Sequence, residues 1–170
     1  MGWMLLLAAS PLAAEVETAP FDWTLGTWEG VRRDAADGSE EAMTLRVEPI
    51  LGGAGQQRHL EVRLDDRVYR GYSVQLFDHR LGKWVRQYAN QVRGRFTRLE
   101  GEIEADGRSV WRGAARERTR ESRLTSERLG TDRWRRTMAV SDDDGKSWRG
   151  LWTDELRRAE GGADSLPAPP

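Results

Sequence analysis

The chain reads as an all-β protein, a closed up-and-down antiparallel barrel of about 8–10 strands. Three observations predict it. From Thr27 onward apolar and polar residues alternate with period two, and no helical period is sustained. Turn chemistry interrupts this alternation roughly every 10–15 residues, so successive strands are expected to pair as hairpins. The segment Phe21-Asp22-Trp23-Thr24-Leu25-Gly26-Thr27-Trp28 sets a Gly-x-Trp step at the start of the first strand, where Gly26 lets the backbone turn tightly. Strands in meander order tend to close, because closure removes unpaired edges.

The expected strands are 27–33, 42–51, 56–64, 67–77, 83–91, 95–104, 108–115, 119–128, 132–141 and 147–157. The breaks between them hold Asp37-Gly38, Gly52-Gly53 with Gly55, Asp65-Asp66, Asp78 to Gly82, Gly94, Asp106-Gly107, Gly130 and Asp144-Gly145. Gly52-Gly53-Ala54-Gly55 is glycine-rich, but no helix follows it to present a positive dipole, so it reads as a loop or bulge. The stretch 116–128 is the weakest wall: apart from Leu124 it has almost no apolar face, and it reads equally as an exposed excursion with helical character. Glu100, Glu102 and Glu104 alternate opposite Leu99 and Ile103, the pattern of a solvated outer wall.

With 170 residues the chain is one domain's worth, large enough to bury a core without disulfides or metal. Residues 1–14 read as a signal peptide, with the apolar run Trp3 to Ala9 and the small pair Ala13-Ala14, though no Lys or Arg precedes the run. The run is too short to span a bilayer. The expected location is therefore periplasmic or secreted, with no stable membrane insertion once the signal is removed. The barrel domain is expected over 21–158 and a disordered tail over 159–170. There is no Cys, which excludes thiolate chemistry, Cys-ligated zinc and a lipid anchor on such a residue. A net charge of -1 provides no global field to recruit nucleic acid. Lys83 and Lys146 are the only lysines among 27 basic residues, so almost every cation is a guanidinium. Codon bias explains that, and so does a guanidinium-lined site.

Ser141-Asp142-Asp143-Asp144-Gly145-Lys146-Ser147-Trp148 fits the Asp-box pattern S-x-D-x-G-x-[ST]-W. Its reading is structural. Asp143 satisfies turn N–H groups, Gly145 takes positive φ, and Trp148 packs on the turn. Glycan processing in Asp-box propellers needs many copies, and one copy makes no propeller. Asp78 to Trp84 is a looser hairpin of the same kind. His79 belongs to that turn. His59 has the opposite parity to Leu60, Val62 and Leu64 in even positions and so faces away from them, and neither histidine has a partner at ligand spacing. No metal and no cofactor is expected. No nucleophile elbow, phosphate loop or dinucleotide fingerprint is present.

The candidate ligand site lies where aromatic and polar residues share one face. Trp84, Arg86, Tyr88 and Asn90 align on one strand, Trp134, Arg136, Met138 and Val140 on another, and Trp148, Gly150, Trp152 and Asp154 on the last. On a further strand Val110 and Arg112 lie opposite Trp111. If the aromatic faces turn inward, Arg86, Arg112 and Arg136 are expected in the lumen with Tyr88, Asn90, Trp134, Trp152 and Asp154. Buried guanidinium needs an anionic partner. Such an interior either binds a small amphipathic, anionic ligand between aromatic walls or pairs its arginines with Asp154 and glutamates and simply fills the barrel.

Phe21-Asp22-Trp23 with Gly26-x-Trp28, Tyr69-Arg70-Gly71-Tyr72 with Phe77-Asp78, Gly82-Lys83-Trp84 with Tyr88, and the Asp-Asp-Gly-Lys-Ser-Trp hairpin together resemble a bacterial family of uncharacterised, often exported calycin-like (lipocalin- and nitrobindin-like) barrels, over about 21–157. The resemblance implies that Trp28 plugs one barrel end and that a basic residue near the last strand, Arg157 or its neighbour Arg158, stacks on it. It implies binding of small apolar or amphipathic molecules. The nitrobindin branch relies on a late histidine for haem, and this chain has none after His79. The leading expectation is non-catalytic binding. The alternatives are an isomerase, hydratase or lyase with Tyr88 as acid, an arginine as oxyanion partner and Asp154 as base, or a filled barrel acting as a protein-interaction module.

Overall fold

Ten antiparallel strands close into one barrel, each hydrogen-bonded to the next in sequence and the last to the first. The computed structural model describes residues 19–114 and 121–160. The expected signal peptide, positions 115–120 and the tail beyond 160 lie outside the described residues. The strands are β1 (Gly26–Asp34), β2 (Glu40–Ile50), β3 (Gly55–Arg63), β4 (Val68–Asp78), β5 (Lys83–Asn90), β6 (Thr97–Ile103), β7 (Ser109–Ala114), β8 (Glu121–Arg128), β9 (Arg133–Ser141) and β10 (Arg149–Arg158). A 3-10 segment, Ala19–Thr24, precedes them, and a second short 3-10 turn, Leu51–Gly53, occupies the glycine-rich loop.

Each strand follows the pattern read from the sequence, apolar or specific side chains inward and charges outward. The part of the doubtful wall that is described is a strand. β8 alternates Ser122, Leu124 and Ser126 inward with Arg123, Thr125 and Glu127 outward, so small hydroxyls substitute for apolar bulk. The outer face of β6 carries Glu100 and Glu102 as expected, paired with Lys83 and Arg112.

One end of the barrel is packed with rings. Phe21 of the 3-10 segment lies between Trp84 and Trp111, with ring centroids 5.0 and 5.6 Å away. Trp23 and Trp28 both meet Trp134 edge-on, at 5.3 and 5.5 Å. Edge-to-face pairs at these separations each add about 0.5–1.5 kcal/mol beyond area burial. Leu45, Val47, Leu60, Val62 and Leu156 complete the layer around Trp28. Gly101 makes room for it. A Cβ there would stand 2.6 Å from the Trp111 ring, so only glycine lets the indole lie against β6.

Trp28 is fully buried, and its indole N–H donates to the Thr24 carbonyl at 2.7 Å. Gly26 turns the chain into β1 at φ 109. The cation over the Trp28 ring is Arg158, 4.3 Å from the centroid. Of the two candidates, Arg157 and Arg158, the structure corrects the assignment of Arg157. Arg157 pairs across the seam with Glu29, which points outward, whereas Arg158 pairs with Trp28 and shares its face. Arg158 also donates to the carbonyls of Leu25 and Trp23, at 2.6 and 3.1 Å, tying the 3-10 segment to the last strand.

Arg158→Ala should therefore lower unfolding free energy by about 1–3 kcal/mol, from the lost ring contact and two charge-assisted bonds. Arg157→Ala should stay within about 0.5 kcal/mol of the parent. Urea unfolding followed by tryptophan fluorescence separates the two, and equal effects would contradict the assigned roles.

Candidate functional site

Above the ring-packed floor the lumen is polar, and its polarity comes from side chains at inward parity. On β3 these are Gln56 and Arg58, on β4 Ser73 and Gln75, and on β5 Arg86, Tyr88 and Asn90. Arg32 on β1, Arg136 on β9 and Asp154 on β10 complete the set. Of these, Arg32, Arg58, Ser73, Arg86, Tyr88, Asn90 and Arg136 line a cavity of about 170 Å³. That is room for several ordered waters or a small ligand. Its apolar wall is Leu45, Leu60, Leu99, Leu124 and Met138, with Trp152 at one side. Arg93 of the β5–β6 turn lines it from the opposite end to the floor.

The charges are unequal. Arg32, Arg58, Arg86, Arg93 and Arg136 line the cavity, and among the described residues no acid lines it. Among the described residues Asp154 is the only fully buried acid. Both its oxygens are taken: Arg32 donates through Nε and Nη2, at 2.7 and 3.0 Å, and Arg136 Nη2 lies 3.2 Å from Oδ2. Arg32 also stacks on Trp152, 3.8 Å from its centroid. Asp154 is thus a counter-ion locked between two guanidiniums.

Among the described residues Arg58 and Arg86 have no acid partner. Arg58 Nη2 donates to the Gln56 side-chain oxygen at 3.1 Å and, at the limit, to Thr24 Oγ1 at 3.5 Å. Arg86 donates only to Gln75 Oε1, at 2.8 Å, and lies over the Trp111 ring at 3.8 Å. The Nε groups of Arg58, Arg86 and Arg136 are buried without a partner. The titration directions report the same imbalance. Burial, then Arg136, pulls Arg58 down to about 9. Burial, then Arg58 and Arg136, pulls Arg86 well below the ordinary arginine value. Burial also lowers Arg136, with Asp154 opposing it. A guanidinium keeps its proton in proteins, so the strain falls on stability rather than on charge.

Near Arg86 a phenol pair spans β4 and β5. The hydroxyls of Tyr69 and Tyr88 share a hydrogen bond, and Asn90 Nδ2 reaches Tyr88 at 3.5 Å. Burial, then the bond to Tyr88, holds the Tyr69 hydroxyl well above the usual tyrosine value.

Of the expected site residues, Arg86, Tyr88, Asn90, Arg136 and Trp152 line the cavity. Trp134 faces inward but lies in the floor beneath Arg58 and Arg136. Asp154 faces inward as an occupied counter-ion. Arg112 is a correction. It is exposed and bonds Glu102 on the outer wall, because it alternates with Trp111 and the ring takes the inner face. Trp148 is a second correction. A β-bulge between Gly150 and Trp152 breaks the period, so Trp148 does not align with Trp152 and instead stacks under Arg123 at 4.1 Å. The hairpin itself matches its pattern: Asp143 accepts from the Ser147 amide at 2.8 Å, Gly145 has φ 80, and the Trp148 indole donates to the Gly145 carbonyl at 3.1 Å. Arg32 and Arg58 were not anticipated, although Arg58 has the same parity as Leu60 and Val62 and Arg32 the same as Trp28. His59 faces outward, 3.7 Å from Glu48. Among the described residues no cluster of three or more His or acidic residues could hold a metal.

No protein-family model matches the chain, and no curated protein matches it. A solved structure of similar fold is the S-type phycobiliprotein lyase CPES from Guillardia theta, at TM-score 0.54 and 12% identity, covering 82% of this chain and 90% of that one. A protein with unknown function of the DUF3598 family from Nostoc punctiforme covers 84% and 98% at 11% identity, with a TM-score of 0.27. The first likeness establishes the fold: an all-β, closed, lipocalin-like barrel.

Two outcomes follow from the charge arrangement. Asp154→Asn should cost about 3–5 kcal/mol in urea unfolding, since it leaves Arg32 and Arg136 uncompensated. Arg86→Met should cost less than about 1 kcal/mol or stabilise the ligand-free barrel, because it removes a buried charge that has no counter-ion. A large loss from Arg86→Met would mean that its amide and ring contacts satisfy it fully. In the Asp-box hairpin, the Ser147 hydroxyl and amide and the Ser141 hydroxyl lower Asp143 to about 2. Its contribution is present above the ordinary carboxylate range and fades as pH falls through that value. The protection of the Ser147 amide relative to its intrinsic exchange rate should therefore fall between about pH 4 and about pH 2, and Asp143→Asn should lack that step.

Proposed function

We propose that the barrel binds a small amphipathic anion in its lumen without transforming it. One observation carries this reading: among the described residues, five guanidiniums line the cavity and no acid does. The acid group of the ligand meets Arg58, Arg86 and Arg136, and its apolar body lies along Leu60, Leu99, Leu124 and Met138 toward Trp152. Water cannot answer those charges as a carboxylate can, because charge-assisted bonds to a planar guanidinium are among the strongest a site offers.

The fold neighbour is a phycobiliprotein lyase, and it supports small-molecule handling as the class. It also supports a second reading, lyase or isomerase chemistry, for which the Tyr69–Tyr88 hydroxyl pair is the favouring observation. In that reading Tyr88 supplies the proton and Arg86 the oxyanion contact. Asp154 drops out as base, since two arginines occupy its oxygens. The protein-interaction module loses ground for a different reason, because the lumen holds a cavity. We keep export as part of the proposal, on the apolar run Trp3 to Ala9 and the resemblance to exported calycin-like barrels.

Native mass spectrometry of protein purified from its own host tests the main reading. A small molecule should co-purify, and Arg86→Ala should weaken its retention about 10–100-fold while circular dichroism stays β-rich. Retention unchanged in that variant would remove the lumen anchor.

A further inference from the structure

The arrangement of Arg58 and Arg86 is more specific than a basic lumen. Gln56, Gln75 and Arg86 are directly cross-strand neighbours on β3, β4 and β5. Their side chains form a chain of bonds. Arg58 donates to Gln56 Oε1, Gln75 Nε2 donates to the same oxygen at 3.3 Å, and Arg86 donates to Gln75 Oε1. Gln56 is anchored in turn. Its Nε2 donates to the Phe21 carbonyl at 2.9 Å and its oxygen accepts from Thr24 at 3.1 Å. The chain runs from one guanidinium to the other through two neutral amides, and the 3-10 segment pins it to the floor.

Such a chain links two like charges through a pair of amides, and nothing in it neutralises either. Amide oxygens and the Trp111 face orient the cations, but they are dipoles and quadrupoles rather than counter-charges. Asp154 is already shared by Arg32 and Arg136. Each of Arg58 and Arg86 is 4% exposed, so solvent does not compensate them. Among the described residues, two buried positive charges that line one cavity therefore have no counter-ion.

Building on the proposed binding of an amphipathic anion, we infer that the ligand carries a doubly negative head at one end, a geminal dicarboxylate or a phosphate monoester, and enters head first. Both head types present oxygens that match the planar donor forks of two arginines. A tail of moderate length then runs past Leu99, Leu124 and Met138 toward the Arg93 end. A single carboxylate answers one guanidinium and leaves the other exposed to its neighbour. A dianion with its charges at opposite ends places the second one away from both.

The test is a titration of the intact protein with octylmalonate, octyl phosphate, octanoate and octylamine, followed by tryptophan fluorescence and calorimetry at a pH of about 8, where the phosphate head carries close to two charges. The two dianions should bind at least about 10-fold more tightly than octanoate, and octylamine should not bind, since each additional charge-assisted contact is worth about a decade. In Arg58→Gln and Arg86→Gln, each checked for folding by circular dichroism, the advantage over octanoate should fall to within about 3-fold, within the context dependence of a single contact. Arg112→Gln on the outer wall should keep the full advantage. If octanoate binds as tightly as the dianions, the doubly charged head is overturned and the amphipathic-anion reading stands. If octylamine binds and none of the three anions does, both fall. The two dianions compared with each other tell the carboxylate source from the phosphate source.

Discussion

Asp154 sits at the one place where closing the barrel and balancing its charge are the same problem. It is the cross-strand partner of Arg32 on β1 and of Arg136 on β9, so a single carboxylate binds three strands, including both sides of the closing seam. The pairing with Arg32 is two-pronged and shielded from water on the carboxylate side. In a low-dielectric interior such a contact is strong only while every partner is present, and removing one leaves a bare charge. The seam and the electrostatics of the lumen therefore depend on the same oxygens. Because Asp154 is spent on the seam, the arginines across the lumen receive nothing from it.

The second constraint is geometric. Ten strands make a wider tube than side chains alone fill, and the tube's two ends are treated differently. At one end the 3-10 segment folds across and lays Phe21 and Trp23 against four further indoles, Trp28, Trp84, Trp111 and Trp134. That layer takes the role a thicker domain gives to a continuous aliphatic core. Above it the inward positions of β3, β4 and β5 hold Gln56, Arg58, Ser73, Gln75 and Arg86, where the pattern of a purely structural barrel calls for apolar residues. The aromatic floor makes this tolerable: it supplies the packing, gives Arg86 a ring to lie on, and anchors Gln56 through the Phe21 carbonyl.

Strand positions were legible because two independent signals coincide, the period of two and the turn residues. All ten expected strands are present, each with ends within two residues of its expected bounds. The polar stretch in 116–128 was ambiguous in sequence because serine carries no facial preference. Its described part, 121–128, is β8, with Ser122 between Gly113 and Val140 and Ser126 between Ser109 and Arg136. Within strands, parity placed Arg86, Tyr88, Asn90, Arg136 and Trp152 correctly. It was misapplied at Arg112, where the arginine was given the face that its neighbour Trp111 occupies. It fails physically at Trp148, since the bulge at Leu151 inserts a residue and swaps faces. Arg157 and Arg158 differ by one position, and only the register against β1 distinguishes them. The face of Arg58 is legible only from Leu60 and Val62 further along β3, because the polar run Gln56-Gln57-Arg58-His59 carries no aliphatic of its own.

Where local rules are broken without a compensating gain in stability, function is the usual reason. Here the break is specific. Arginine is as costly inside as lysine, yet only arginine offers several donors in one plane while stacking on an indole. Arg86 does both at once, over Trp111 and toward Gln75. A barrel needing only to be filled would have solved positions 58 and 86 with leucine, as it did at 60, 99 and 124. Filling also predicts that each inward arginine ends on an acid, and among the described residues the lumen offers one acid to four buried or nearly buried guanidiniums. The excess is placed beside a cavity rather than scattered around the wall, and a neutral amide chain with no other evident purpose holds it there. An interior organised to keep two cations together is complementary to what would neutralise them, so its selectivity is one of charge before it is one of shape.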